Sequence, residues 1–240
     1  MITSYSHHIV LILLILNNLP IFSQTSYSES SLTGNGDLNL VGEDFKLQND
    51  AFIAFKKMQK EALKEGISIQ IVSAYRSFNH QKKIWNRKYK QYILEGFSEQ
   101  QTIAKIIEYS SIPGTSRHHW GTDIDIIDNA RSRPKKLLIE SNYTKNRIYS
   151  KLKIWMDKNA SNFGFYLVYN NNPTRKGYKY EPWHYTYKPL SKKMLEEYLK
   201  INIFNFYKNS SIKGSHLFLE IFLKMYSFEH ILGVNLEILN

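Results

Sequence analysis

The sequence predicts a single α+β domain in which a small antiparallel sheet is flanked by helices. Strand patterns and helix patterns alternate along the chain, and the links between them are short enough for hairpins. No repeat, low-complexity linker or compositional break divides the 240 residues. The composition, with 42% hydrophobic and 22% charged residues, is that of a globular protein and excludes a disordered or fibrous chain.

The first helix is predicted between Phe45 and Gly66. The preceding residues, 24–44, are polar and rich in Gly, Asn and Ser, and we expect a lead-in or partly ordered arm there. After Phe45, apolar residues recur at intervals near 3.6, which indicates a helix that Gly66 ends. Residues 67–73 then alternate between apolar and polar types, which predicts a strand with one buried face.

Two further helices are predicted before the middle of the chain. Residues 79–93 carry an apolar side made of Ile84, Trp85, Tyr89 and Tyr92. Ser98 and Gln101 have the spacing of a capping box and predict the start of the next helix. Residues 110–117 contain a Pro-Gly pair and are interpreted as a loop.

The second half begins with a predicted strand at residues 122–127. Ile124 and Ile126 lie on one face of this strand, and Asp123 and Asp125 lie on the other. The remaining elements follow from the same patterns: a helix through 148–156, strands at 165–169 and 183–187, and helices at about 191–203 and 215–228.

The composition limits the chemistry. Cysteine is absent, which excludes disulfides, thiolate zinc sites, iron–sulfur clusters and thiol nucleophiles, so any metal must be held by His and carboxylate groups. The net charge of +11 favours an acidic partner such as nucleic acid, anionic lipid or an anionic cell wall. Charge alone does not choose among them, and a basic protein with no charged partner is equally compatible.

The N-terminus indicates export. Residues 9–16 (IVLILLIL) form a continuous apolar run that is too short for a bilayer span of about 20 residues but fits the core of a signal peptide. We therefore expect residues 1–23 to be a signal peptide and the protein to be exported, as a periplasmic, cell-envelope or secreted protein. The missing Lys or Arg before the run leaves a buried N-terminal strand as the alternative. No later segment is apolar enough to span a membrane.

Three clusters of polar residues lie at the edges of predicted strands: Ser116 to Asp125, Glu181 to His184, and Ser73 to Ser77 with Gln81. Two His and one Asp would leave a fourth position open on a Zn²⁺ ion, as catalytic zinc sites do. A further carboxylate is then free to act as a general base, and an Arg can bind a substrate carboxylate in bidentate fashion. Each cluster alone is weak evidence, because His and Asp often lie close together by chance.

Together the clusters resemble the VanY-type D-Ala-D-Ala carboxypeptidases, which are metal-dependent peptidases of the M15 family. That family carries Ser-x-His-x-x-Gly-x-x-x-Asp and then Glu-x-Trp-His, preceded by Tyr-Arg-Ser. The matching positions here are Ser116, His118, Gly121, Asp125, Glu181, Trp183, His184 and Tyr75 to Ser77. The resemblance runs from about Phe45 to Lys188.

The resemblance implies a role for each matching residue. Zn²⁺ is expected on His118, Asp125 and His184, with Glu181 as the catalytic base. The expected substrate-binding residues are Arg76, Ser116 and Gln81. It also implies the compact α+β zinc-peptidase fold that hedgehog signalling domains share, with residues 45–240 as the carboxypeptidase domain and its C-terminal helices.

The chain departs from the family's pattern in two places. Asp123 stands where the family commonly has a small residue, and Ala74 stands where it has Gly. Strand alternation puts Asp123 on the same face as Asp125, so Asp123 could compete as a ligand or add charge near the metal. His119 is adjacent to His118, and only one of the two should reach the metal; the motif favours His118.

These observations predict an exported zinc carboxypeptidase that removes a C-terminal D-Ala from peptidoglycan stem peptides, at a D-Ala–D-Ala or an L,D bond. The alternative is a non-catalytic, zinc-stabilised cell-wall-binding module on the same fold. Glu181 discriminates between the two, because a binding module needs no base at that position. We expect no nucleic-acid partner, since the positive charges are scattered rather than grouped in a stripe. We also expect the protein to be a monomer.

Overall fold

A computed structural model describes residues 27–208 and 210–240 of the chain. The predicted signal peptide at residues 1–23 lies outside the described residues. Within them, none of the helices combines the length and the apolar character that crossing a membrane requires.

A four-stranded antiparallel sheet forms the centre of the fold and confirms the predicted α+β class. Its strand order is β3-β4-β6-β5, and a separate two-stranded sheet pairs β1 with β2. The strands are β1 (Leu40–Val41), β2 (Leu47–Gln48), β3 (Ile69–Ser73), β4 (Asp123–Asp128), β5 (Phe165–Leu167) and β6 (His184–Tyr187).

The register of the sheet aligns the three polar clusters. Asp125 on β4 is paired with Ser73 on one side and with His184 on the other. An irregularity between Ile71 and Ser73 interrupts the alternation on β3, and such bulges re-aim the residues that follow them. Every residue of β4 is buried, because a strand lies on each side of it and helices cover the sheet. The polar side chains of β4 are therefore largely shielded from solvent.

The helices surround this sheet. They are α1 (Glu29–Leu32), α2 (Asn49–Leu63), α3 (Phe78–Leu94), α4 (Glu99–Ile106), α5 (Ser150–Asn159), α6 (Lys188–Tyr198), α7 (Ile203–Tyr207), α8 (Glu220–Tyr226) and α9 (Leu236–Leu239). On α3 the buried residues Gln81, Trp85 and Tyr89 are four positions apart, so a single side of the helix faces inward. The capping box predicted at Ser98 and Gln101 is present at the start of α4.

The C-terminal helices differ from the sequence prediction. The helix predicted at about 191–203 is α6, which begins at Lys188 because Pro189 is accepted in the first helical turn. The helix predicted at 215–228 is shorter, since Leu219 has an extended backbone and separates a 3₁₀ turn from α8. A hydrophobic pattern does not reveal such an interruption when apolar residues continue through it.

The segment predicted as a lead-in packs against the rest of the protein. Leu32 in α1 is 1% exposed, and its carbonyl accepts a hydrogen bond from Trp120 Nε1 at 3.1 Å. The carbonyl of Gly34 accepts the backbone N–H of Phe78, the first residue of α3, at 2.8 Å. Residues 27–44 are thus connected to the elements that carry the candidate site.

Candidate active site

The three clusters meet in one cavity of about 480 Å³. Arg76 follows β3, while Ser116 and His118 precede β4 in a short turn that Gly121 closes with a left-handed φ of 65°. Asp125 lies on β4, His184 is the first residue of β6, and Glu181 lies in the turn just before it. Residues separated by as many as 108 positions in the chain therefore line one cavity, since the strands that carry them are hydrogen-bonded neighbours.

His118, Asp125 and His184 form a set of potential metal ligands. One ligand atom from each lies within 4.8 Å of the others. His118 Nε2 is 3.3 Å from Asp125 Oδ2, and His184 Nδ1 is 3.7 Å from Asp125 Oδ1. Two imidazole nitrogens and a carboxylate oxygen are the donor set of a catalytic zinc site with an open position.

The charges around this set also fit a cation. Asp125 Oδ1 is buried and has no hydrogen-bond partner among the described residues, which is costly unless a positive group neutralises it. Burial lowers the pKa of His184, but hydrogen bonds to Asp123 and Glu181 outweigh burial and raise that pKa to about 10. The surrounding carboxylates thus favour positive charge at this point, and the residues present fit Zn²⁺.

The adjacent residues His118 and His119 have different surroundings. His118 Nδ1 is 2.8 Å from the carbonyl of Ala74, to which it donates its proton, so Nε2, which faces Asp125, is the nitrogen that is left to bind a metal. His119 is turned away from the ligand set: its Nδ1 donates to the carbonyl of Arg76 at 2.5 Å, and its Nε2 accepts the N–H of Gly114 at 3.0 Å. The structure places His118 in the ligand set, while His119 connects the backbone of Arg76 to the loop before Ser116.

We expect Gly34→Ala to lower the free energy of unfolding by more than Gly66→Ala does. Both glycines have a left-handed φ, +78° and +72°, where alanine costs about 1–2 kcal/mol. Only at Gly34 does the added Cβ clash, at 2.5 Å from His119 Nδ1, whereas nothing lies within 4 Å at Gly66. Urea unfolding of the two variants and the wild type measures the difference. Equal losses would show that the contact with His119 relaxes freely.

Glu181 lies beside the ligand set without belonging to it. A tight turn, in which the N–H of His184 donates to the carbonyl of Glu181 at 3.1 Å, brings the two side chains together. Glu181 Oε2 is 3.1 Å from His184 Nδ1, and the residue lines the cavity at 7% exposure. Burial raises the pKa of the Glu181 carboxyl above its ordinary value. A buried carboxylate with a raised pKa is suited to accept and return a proton near neutral pH.

The predicted substrate-binding residues lie in different positions. Arg76 and Ser116 line the cavity. Gln81 is fully buried behind Arg76, where its Oε1 accepts from Arg76 Nη1 at 2.7 Å and its Nε2 donates to the carbonyl of Ser111 at 2.7 Å. The sequence predicted that Gln81 lines the substrate site. In the structure, both ends of its amide are instead bonded within the protein, and the amide holds the Arg76 guanidinium in place.

Sequence reasoning missed several residues around the cavity. The Tyr169 ring stands edge-on to the ring of His184, with centroids 5.1 Å apart, and Lys88 donates to Ser110 Oγ at 2.8 Å on the cavity wall. The only signal for Tyr169 was its place at the end of a predicted strand. Lys88 lies two helical turns after Gln81 on α3, a spacing that could have indicated a common face.

The antiparallel sheet with its flanking helices and the buried His–Asp–His set define the class of this protein as an α+β domain with a candidate metal site. The model of the family described as "VanY: D-alanyl-D-alanine carboxypeptidase" matches residues 44–190, which is more than half of the chain. The chain belongs to this family, and the resemblance noted in the sequence is confirmed.

Curated relatives support the family membership. The chain is 31% identical over 125 residues to a D-alanyl-D-alanine carboxypeptidase of Enterococcus faecalis, covering 51% of this chain and 41% of that protein. It is 31% identical over 142 residues to the putative carboxypeptidase YodJ of Bacillus subtilis, covering 59% of this chain and 46% of the relative. The chain thus spans less than half the length of these two relatives.

Solved structures show the same fold. VanYB in complex with D-Alanine-D-Alanine aligns with a TM-score of 0.52 and 19% identity, covering 73% of this chain and 91% of that one. The LdcB LD-carboxypeptidase aligns with a TM-score of 0.51 and 26% identity, covering 70% of this chain and 81% of that one. The sheet and its flanking helices are therefore a known architecture of the VanY kind.

Proposed function

We propose that the protein is an exported zinc carboxypeptidase that removes a C-terminal D-Ala from peptidoglycan stem peptides, at a D-Ala–D-Ala or an L,D bond. The observation that carries this proposal is the buried Glu181 carboxylate beside the His118–Asp125–His184 set, in a cavity that Arg76 also lines. The net charge of +11 is compatible with an anionic cell wall. In this proposal residues 1–23 are the signal peptide, and residues 45–240 are the catalytic domain with its C-terminal helices.

Glu181 moves the proton in the proposed reaction. His118, Asp125 and His184 would hold Zn²⁺, which would supply a Lewis acid for the carbonyl and lower the pKa of bound water. Glu181 takes the proton from the attacking water and returns it to the amine of the leaving residue. The burial of Glu181 supports this role, because it raises the pKa of the carboxyl above its ordinary value.

Arg76 supports an exopeptidase rather than an endopeptidase. Its Nη1 and Nη2 are held by Gln81 Oε1 and Ser73 Oγ, at 2.7 and 2.8 Å, so the orientation of the guanidinium plane is set before a substrate arrives. A fixed guanidinium in a cavity suits the free carboxylate at a peptide's C-terminus. Ser116, which is 2% exposed on the same cavity wall, is proposed as a further hydrogen-bonding group for the peptide.

Mass spectrometry of defined stem peptides tests the proposal. Pentapeptide and tetrapeptide stems are incubated with the purified protein, with and without a chelator. We expect loss of one terminal D-Ala from at least one stem, and no reaction after chelation. Binding of the stems without cleavage would support the non-catalytic cell-wall-binding module instead.

We expect Arg76→Lys to lower kcat/KM by about 10–100-fold for peptides with a free C-terminal carboxylate. Lysine keeps the charge but loses the planar fork, and a hydrogen bond to a charged group contributes about 1.5–3 kcal/mol. Steady-state kinetics on matched peptides with a free or an amidated C-terminus measures the effect. Arg133→Lys, at an exposed arginine outside the cavity, is the control. If Arg76→Lys slowed the amidated peptide by the same factor, Arg76 would not recognise the carboxylate.

A further inference from the structure

Asp123 is fully buried and makes four polar contacts. Its Oδ1 accepts a hydrogen bond from Arg117 Nε at 2.9 Å and lies 3.0 Å from His184 Nε2. Its Oδ2 accepts hydrogen bonds from Thr122 Oγ1 at 2.6 Å and from Thr186 Oγ1 at 2.8 Å. Asp123 is outside the set of potential metal ligands, so the possibility that it competes with Asp125 as a ligand has no support in the geometry.

We propose that Asp123 is a positioning residue that sets the ring orientation and tautomer of His184, and that Arg117 and Thr186 hold Asp123 for this task. The inference rests on the proposed function in one respect, namely that His184 binds the catalytic metal. Position 123 is not among the residues named in the motif, and the family commonly has a small residue there, so the resemblance assigns Asp123 no role.

The contact with Asp123 determines the tautomer of His184. A neutral imidazole carries its proton on one nitrogen and offers a lone pair on the other. In the neutral imidazole that binds a metal, a carboxylate 3.0 Å from Nε2 keeps the proton of His184 on that nitrogen, which leaves the lone pair on Nδ1, the atom that lies 3.1 Å from Glu181 Oε2 and 3.7 Å from Asp125 Oδ1. A flipped or rotated His184 ring would lose this hydrogen bond within a buried environment.

The two imidazoles of the ligand set are held by different acceptors. His118 donates to a neutral backbone carbonyl, that of Ala74, at 2.8 Å. His184 donates to an anionic carboxylate, and the partial charge transferred along this hydrogen bond makes His184 the stronger electron donor of the two. Loss of the negative charge at Asp123 is therefore expected to weaken metal binding even when the hydrogen bond itself remains.

The surroundings of Asp123 explain how a buried charge is tolerated there. Arg117 is 4% exposed, and its guanidinium lies over the Trp120 ring at 4.6 Å from the centroid. Arg117 Nη2 also donates to Thr186 Oγ1 at 2.8 Å, and Thr186 in turn donates to Asp123. Arg117, Thr186 and Asp123 thus form a ring of hydrogen bonds. This ring neutralises the Asp123 carboxylate and restricts its movement, which preorganises the metal ligand His184.

Zinc competition measures the proposed role. Asp123→Asn preserves the volume and a hydrogen-bond acceptor but removes the charge, and we expect it to lower zinc affinity by about 10–100-fold against a chromogenic chelator. The matched control is Asp128→Asn, at the third buried aspartate of β4, which lies beside Arg131 and outside the cavity. It should bind zinc as tightly as the wild type. Wild-type zinc affinity in Asp123→Asn would overturn the proposal.

Two further measurements separate positioning from simple destabilisation. Thr186→Val removes one hydroxyl that contacts Asp123 and Arg117 while keeping the shape, and it should lower zinc affinity by about 2–10-fold. If Asp123→Asn does not fold, the zinc affinity of Thr186→Val tests the proposal in its place, and an unchanged affinity would contradict it. Imidazole nitrogen NMR of the zinc-loaded wild type should show the His184 proton on Nε2, and a proton on Nδ1 would refute the inference. A wild type that binds zinc by this geometry but cleaves no stem peptide would contradict the proposed function alone.

Discussion

The Glu181→Gln variant is expected to keep its fold and its zinc and to lose about 10²–10⁴-fold in kcat. The amide is nearly isosteric with the carboxyl, and the three proposed ligands are unchanged, so metal content should not fall. An amide cannot accept the proton of the attacking water, and losing general acid–base help costs a factor of that size. Zinc analysis together with steady-state kinetics on a cleavable stem peptide measures both expectations.

Glu140→Gln is the matched control for this experiment. Glu140 is an exposed carboxylate that also lines the cavity, but no contact connects it to His184. Its replacement should leave kcat close to that of the wild type, which shows that charge in the cavity is not by itself the cause. If Glu181→Gln turned over at the wild-type rate, the proposed mechanism would be wrong and the binding-module alternative would be favoured.

His184→Ala is expected to abolish both stoichiometric zinc and activity. The variant loses one of three ligands, and it also leaves Asp123, Asp125 and Glu181 without the imidazole that each contacts. Uncompensated buried carboxylates are costly, so the free energy of unfolding should fall as well. Metal analysis after gel filtration, activity assays and urea unfolding report the three losses separately.

His216→Ala is the control for His184→Ala. His216 is an exposed histidine paired with Glu99, and it lies outside the cavity. Its replacement should change neither zinc content nor activity. Stoichiometric zinc in His184→Ala, or wild-type activity that survives removal of all metal, would contradict the assignment of His184 as a ligand.

The strands that carry the site could be predicted from local patterns. Asp123 and Asp125 alternate with Ile124 and Ile126, and this period of two is visible without any structure. The bounds of the C-terminal helices were harder to predict, because apolar residues continue through the extended backbone at Leu219. The packing of residues 27–44 against the rest of the protein could not be predicted either, since a polar, Gly-rich segment shows no hydrophobic periodicity.

The candidate ligands and base could be found in the sequence because the chemistry requires particular residue types at short, covalently determined spacings. His118 and Asp125 are seven positions apart, and Glu181 and His184 are three apart, so each pair stays close in any fold that keeps the local turn. The order of the motifs then indicated the family, and the match over residues 44–190 confirmed it.

The roles of the supporting residues emerged only from folding in three dimensions. Which nitrogen of His118 is free depends on Ala74, 44 positions away, and which nitrogen of His184 is free depends on Asp123, 61 positions away. Gln81 holds Arg76 instead of lining the cavity because the carbonyl of Ser111, 30 positions along the chain, takes the other end of its amide. A hydrogen bond acts over about 3 Å in space, whereas a sequence pattern reports only neighbours along the chain. The partners that set these orientations therefore become visible only once the strands are paired.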